Sequence, residues 1–163
     1  MAIQIEPMSA QTTAAVAQIE AECFSRPWSH NAFIAELSNP RAVTFVAKSD
    51  GDIAGFINLG FVLDEASVNN IAVKKAYRRR GIGKALLTAA ITYCRNNRLT
   101  MLVLEVRKSN LSAIALYEQF GFQAVGIRKR FYSEPEEDAI LMNKHIAPAE
   151  QQKGSHAYEN FSD

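Results

Sequence analysis

Asn70-Ile71-Ala72-Val73, followed after a short basic link by Arg78-Arg79-Arg80-Gly81-Ile82-Gly83-Lys84, is an apolar strand-like run that empties into a glycine-punctuated turn opening a helix. The first amides of a helix lack intrahelical acceptors, and its dipole places partial positive charge at that end. Gly81 and Gly83 keep side chains away from the backbone, while Arg78, Arg79, Arg80 and Lys84 add full positive charge. The turn reads as a seat for a pyrophosphate. The helix behind it is supported by Ile82, Ala85, Leu86, Ala89, Ala90 and Tyr93, spaced as one buried face.

Two commoner phosphate motifs do not fit. Lys84 is followed by Ala85, so the hydroxyl that holds magnesium in a nucleoside triphosphatase loop is missing. The dinucleotide fingerprint requires a third glycine where Leu86 stands, although Glu105 lies at a suggestive distance.

Working outward, 163 residues suit one domain, expected over 1–146, with a flexible polar tail over 147–163 that begins near Pro148 and Glu150. A net charge of +1 argues against general nucleic-acid affinity, but the charge is uneven: basic around 74–84, acidic at Glu134, Glu136, Glu137 and Asp138. Cys23 and Cys94 sit among apolar neighbours and read as buried structural thiols, as suits a reducing cytoplasm. There is no run of about eighteen apolar residues and no basic leader, so neither membrane insertion nor secretion is expected. His30, His145 and His156 show no metal-ligand spacing with the cysteines, and no metal is expected.

The order of elements follows from periodicity and punctuation. A first strand around Ile3 and Ile5 closes at Pro7, and a helix spans Ser9 to Cys23. Ser29 caps a second helix, which stops before Pro40. Val43 to Ala47, Ile53 to Val62 and Ser67 to Val73 form an antiparallel meander. After the basic-turn helix, Met101 to Val106 is an apolar strand interrupted only by Glu105. A short helix from Ser112 to Phe120 stops at Gly121, and Phe122 to Val125 with Ala139 to Met142 closes the chain. The fold class is therefore α+β (mixed α/β), with a mostly antiparallel central sheet flanked by about four helices.

This order, with the turn Arg78-Arg79-Arg80-Gly81-Ile82-Gly83, resembles the GNAT superfamily of acyl-CoA N-acyltransferases, whose cofactor motif is Gln/Arg-x-x-Gly-x-Gly/Ala. Arg26-Pro27-Trp28-Ser29, Leu63-Asp64-Glu65-Ala66, Leu104 to Asn110 and Ala113 to Phe122 are similar to the RimI branch, bacterial acetyltransferases of ribosomal-protein N-terminal alanine. The resemblance covers about residues 3 to 146. One departure is Asn69, where the family usually carries a bulkier apolar or aromatic residue.

The resemblance implies a sheet that splays at the cofactor site and acetyl-CoA as cosubstrate. It places the pantetheine arm along Ile71, Ala72 and Val73, the diphosphate on Arg78 to Lys84, and Asn110 near the arm. Glu105 is then the general base and Tyr117 the general acid that protonates the departing thiolate. Trp28, Glu65 and Tyr132 are candidates for the groove that receives the acceptor. Simpler readings stand beside these: Glu105 as an ion pair with Arg107 or Arg128, Tyr117 as a packed core ring, Asn110 as a helix-entry residue, and Trp28 as a loop anchor. The implied acceptor is the N-terminal amine of a small-subunit ribosomal protein, met by a monomeric cytoplasmic enzyme with no direct nucleic-acid contact. The rivals are a lysine or small-molecule acetyltransferase of the same fold, and a non-catalytic CoA-binding module docked on the ribosome.

Overall fold

A computed structural model describes residues 2–149, so the expected polar tail lies outside the described residues except for its first three positions. The strands are β1 (Ile3–Pro7), β2 (Ala42–Ser49), β3 (Asp52–Val62), β4 (Glu65–Val73), β5 (Met101–Arg107), β6 (Gln123–Tyr132) and β7 (Glu137–His145). The helices are α1 (Thr13–Cys23), α2 (His30–Glu36), α3 (Ile82–Asn96) and α4 (Leu111–Gln119). The strands make one seven-stranded sheet in the order β1-β2-β3-β4-β5-β7-β6. All its pairings are antiparallel except β4 with β5.

The sheet is buried on two faces. Ile57, Leu59, Leu102 and Leu104 pack with Leu86, Leu87 and Ala90 of α3, while Val46 and Phe56 pack with Val16, Ile19 and Phe33 from α1 and α2. That explains why β3 reads as a nearly continuous apolar run rather than an alternating one. Helix α3 buries Ile82, Leu86, Leu87, Ala90, Ile91 and Cys94. This stripe is displaced from the expected one, with Ala85, Ala89 and Tyr93 only half-buried. Helix α3 lies close to the sheet because Gly55 has no side chain; a Cβ there would stand 2.7 Å from the Ala72 carbonyl oxygen and 3.2 Å from the Ile82 side chain.

Two irregularities shape the functional region. Asn58 pairs with Asn70, but Leu59 pairs with Val68, so Asn69 is an extra residue that bulges β4. The parallel pairing of β4 with β5 covers only Glu65, Ser67 and the residue between them against Met101–Val103. Beyond that point the two strands part, leaving an edge of β4 without a β5 partner in the middle of the sheet.

Several boundaries differ from the sequence expectation. Helix α1 begins at Thr13, because Ser9 to Thr12 forms a turn closed by the Ser9 N–H to Thr12 Oγ1 bond of 2.9 Å. Strand β6 continues to Tyr132, far beyond Val125. It is an exposed edge strand whose polar residues face water, so it lacks the apolar alternation that marks a strand. The acidic cluster is spent on local ties: Glu137 with Arg107 at 3.4 Å, Glu136 with Arg130 at 3.3 Å, and the Arg130 N–H with Asp138 at 2.9 Å.

Candidate active site

The parting of β4 and β5 opens a cleft of about 930 Å³. Its walls are β4 from Ser67 to Ile71, β5 from Val103 to Arg107, the α1–α2 loop including Trp28, the α4 residues Asn110 and Tyr117, and the β6–β7 loop around Tyr132. The cleft thus gathers Ile71, Glu105, Asn110, Tyr117, Trp28 and Tyr132 from distant parts of the chain. Glu65 is not among the lining residues: it stands where β4 begins, opposite Val62 and Met101, at the far side of the β4–β5 pairing from the splay. Of the expected groove residues, the structure brings Trp28 and Tyr132 to this cleft and leaves Glu65 apart from it.

Glu105 projects from an otherwise buried strand. Its side chain retains 32 % exposure, because the splay removes the neighbouring strand that would have covered it. The carboxylate is thus open to the cleft. Arg128 Nη1 lies 3.9 Å from its Oε1. Arg107 turns elsewhere: it donates to the Pro135 carbonyl at 2.9 Å and the Ser133 carbonyl at 3.3 Å, and its guanidinium covers the Tyr132 ring at 4.4 Å. Arg107 therefore holds the β6–β7 loop, and with it Tyr132, against the cleft.

Tyr117 is 6 % exposed and packs its ring on Phe122 at 5.7 Å, yet it lines the cleft. Burial, assisted by Tyr132, pushes its phenol up to about 12, so the hydroxyl stays protonated at neutral pH. Tyr132 is also pushed up to about 12 by burial and by the Glu105 carboxylate, against the opposing pull of Arg107. Asn110 serves the helix as well as the cleft, since its side chain caps α4 by accepting from the Ala113 N–H at 3.2 Å.

The basic turn stands outside the cleft, at the open end of β4. Gly81 is the N-cap of α3 with φ of 84°, a left-handed backbone that favours glycine. The first i to i−4 bond runs from the Ala85 N–H to the Gly81 carbonyl at 3.0 Å, so Ile82, Gly83 and Lys84 present N–H groups with no acceptor inside the helix. Gly83 has a further reason: its missing Cβ would meet Leu116 at 3.4 Å, so it also lets α4 approach. Arg78 donates from Nε to the Val73 carbonyl at 3.1 Å and reaches the Cys23 sulfur at 3.6 Å. That ties the turn to the strand. Ala72 points into the α1–α2 side of the core and pairs with Phe56 of β3.

The cysteines divide. Cys94 is fully buried and its thiol is pushed up to about 11 by burial, which makes it inert. Cys23 is half-buried and lines the cleft, contrary to the expected fully buried thiol. Sequence reasoning also missed Glu20 and Asn70, which meet at the cleft wall; the available signal was a glutamate set between Ile19 and Cys23 on an apolar helix face.

An unpaired strand edge leading to a helix N-terminus, with a carboxylate and a phenol across the gap, has the parts of a group-transfer enzyme for an extended phosphorylated donor. The profile of the Acetyltransferase (GNAT) family matches residues 13–122, and the chain belongs to that family. It is 41 % identical over 126 residues to the [ribosomal protein bS18]-alanine N-acetyltransferase of Escherichia coli K12, covering 76 % of this chain and 84 % of that protein. It is also 36 % identical over 134 residues to the N-alpha-acetyltransferase RimI of Mycobacterium tuberculosis, covering 78 % and 83 %. The crystal structure of the ribosomal-protein-S18-alanine N-acetyltransferase from Escherichia coli superposes with a TM-score of 0.83 at 36 % identity, over 93 % of this chain and 98 % of that one.

Proposed function

We propose that this protein transfers an acetyl group from acetyl-CoA to the N-terminal amine, alanine in particular, of a small-subunit ribosomal protein. The observation that carries the reading is the cleft itself, where the β4–β5 splay sets Glu105 and Tyr117 on the walls of one space. The names of the relatives, which act on the alanine of ribosomal protein bS18, support the choice of acceptor.

The residues divide the work by position. The free edge of β4, at Ile71, Ala72 and Val73, can pair with the amides of the pantetheine arm as an added strand would. The α3 N-terminus and the side chains of Arg78, Arg79, Arg80 and Lys84 are suited to the diphosphate. Asn110 borders the arm from α4. Trp28 and Tyr132 flank the route of the acceptor.

The acceptor arrives mainly as an ammonium, and Glu105 takes its proton, directly or through water. The task is modest for an α-amino group: with a pKa of about 8, roughly a tenth is already neutral at pH 7. A lysine side chain near 10.4 would need about 4.6 kcal/mol for the same step. As the neutral amine attacks the thioester carbonyl and the carbon–sulfur bond breaks, the nitrogen sheds its second proton to water and Tyr117 gives its phenolic proton to the departing thiolate. Glu105 then releases its proton to solvent and the Tyr117 phenolate takes one back, so one proton is released per turnover. No covalent enzyme intermediate is needed, because the thioester is already activated and the cleft supplies proximity and proton handling.

We further propose that the enzyme works in the cytoplasm as a monomer, with its two cysteines reduced. The experiment is a mass-spectrometric assay with acetyl-CoA and two peptides, one beginning with a free alanine and one α-blocked but bearing lysine. The reading requires acetylation of the free alanine amine. Modification of the blocked peptide alone overturns the substrate class, and CoA binding without turnover of either overturns the enzyme.

A further inference from the structure

Glu20 is a buried carboxylate that none of the chemistry above uses. It sits on α1 with 1 % exposure, yet it borders the cleft. The Trp28 N–H donates to its Oε2 at 2.8 Å, and Asn70 Nδ2 lies 2.8 Å from both oxygens. Burial raises its pKa, while the Trp28 and Asn70 donors pull the other way. A buried carboxylate is costly without such donors, and an apolar side chain would fill the same space more cheaply if packing were its whole purpose.

The three partners show what the arrangement does. Trp28 belongs to the loop between α1 and α2, and Asn70 stands on β4 beside the bulge at Asn69. The Trp28 ring packs on Phe33 of α2 at 5.4 Å, whereas the loop's ties towards the β6–β7 side are weak: Ser25 Oγ donates to the Ser133 carbonyl at 3.5 Å, and Arg26 meets Glu134 at 3.9 Å with both side chains mostly exposed. The short bonds converge on Glu20. We propose that Glu20 is the positioning residue of the acceptor groove, clamping the Trp28 loop to β4 so that the wall facing the incoming amine has one fixed height. The moving part of the clamp is the Trp28 loop on the acceptor side, whereas its β4 anchor, Asn70, is held in register by pairing with Asn58 of β3, so the donor edge beyond it stays in place. The kinetic part of this inference rests on the cleft being the acceptor site; the spectroscopic part does not.

Trp28 is the single tryptophan of the chain, so its emission reports this loop alone. The test compares the full-length chain with Glu20→Gln and with the exchange pair Glu20→Gln, Asn70→Asp. Glutamine keeps the volume but removes the charge and one of the two acceptor oxygens that Trp28 and Asn70 share, whereas the exchange pair restores a charged carboxylate facing an amide. In Glu20→Gln, Trp28 emission should shift to the red and acrylamide quenching should rise. The KM for the alanine peptide should increase about tenfold, the loss typical of a charge-assisted hydrogen bond, with the KM for acetyl-CoA within about twofold. The exchange pair should recover both readouts. A lowered melting temperature with unchanged Trp28 emission and unchanged peptide KM would mark Glu20 as merely structural and overturn the proposal. If Glu20→Gln does not fold, the exchange pair decides: restored emission and KM support the clamp, and a folded pair with a loosened Trp28 refutes it. If the wild type leaves the alanine peptide untouched, the acceptor assignment fails, and the emission data still judge the clamp.

Discussion

Arg128 on β6 and Glu105 on β5 stand 3.9 Å apart across β7, joining a carboxylate of the cleft to an exposed edge strand. The arginine is 57 % exposed, so the pair is well solvated and contributes at most about 1 kcal/mol. Replacement Glu105→Gln should lower kcat by about a hundredfold to ten-thousandfold, the usual range for a general base, with binding of CoA retained. Arg128→Gln should change kcat by less than about fivefold and leave the melting temperature nearly unchanged. Steady-state kinetics with calorimetric CoA titration separate the two, and a larger loss from Arg128→Gln than from Glu105→Gln would reverse the roles.

Tyr117 joins a protonated phenol to a packed ring, and the two functions can be separated. Tyr117→Phe keeps the ring on Phe122 and removes the proton donor, so kcat should fall about a hundredfold or more in a folded protein. Alkaline stability offers an independent check. The folded phenol is held at about 12 against an ordinary value near 10, so the unfolded chain ionises first. The neutral phenol's contribution is complete below pH 10 and is lost as pH rises from 10 towards 12. Cys94 and Tyr132 are raised as well, so the wild type should lose stability on the alkaline side, and Tyr117→Phe should lose less of it between pH 10 and 12. Urea melts at pH 9 and 11 measure the difference.

Gly81 tests the pyrophosphate seat. A methyl group added there meets nothing within 4 Å, so the cost of Gly81→Ala comes from φ of 84° alone. That strain is about 1 to 2 kcal/mol, and it can relax only by moving the first turn of α3. The KM for acetyl-CoA should rise severalfold while the KM for the peptide holds. Raising salt from about 0.05 to 0.5 M should weaken CoA binding in wild type and variant alike, since the basic turn lies open to solvent and is screened. Insensitivity of CoA binding to salt would argue against the seat.

Local signals in the chain were strong enough to foretell the elements that punctuation defines: the Ser29 cap of α2, the left-handed Gly121 after α4, and the glycine turn before α3. The length of β6 escaped because an exposed edge strand has no buried face to impose alternation. Glu105 could be singled out as a carboxylate in an apolar strand, whereas Tyr117 was marked only by the resemblance of its helix to the family, and Glu65 could not be located by composition. Its distance from the cleft follows from where β4 stops pairing with β5. The Glu20 to Asn70 bond spans 50 positions, and no spacing rule couples residues so far apart. Such contacts are set by how α1 docks on the sheet, which the folded core alone decides.

The bulge at Asn69 carries a stability prediction that does not involve the chemistry. Asn58 is fully buried, donates to Thr44 Oγ1 at 2.8 Å, and accepts from Asn69 Nδ2 at 3.0 Å. Asn69 reaches it by lying over Gly60, where an added Cβ would stand 2.9 Å from Nδ2. Asn69→Leu therefore removes the donor to Asn58 Oδ1, at a cost of about 1 kcal/mol, because water can approach from the exposed side of Asn69. Gly60→Ala should cost about the same by a different route: the methyl displaces the flexible Asn69 side chain and breaks the same bond. Each variant should lower the melting temperature by about 2 to 4 °C, and the double variant by little more than either alone. Fully additive losses would mean that Gly60 serves a separate purpose, such as the path of the β3 backbone beside Arg41, whose carbonyl accepts from the Phe61 N–H at 2.9 Å.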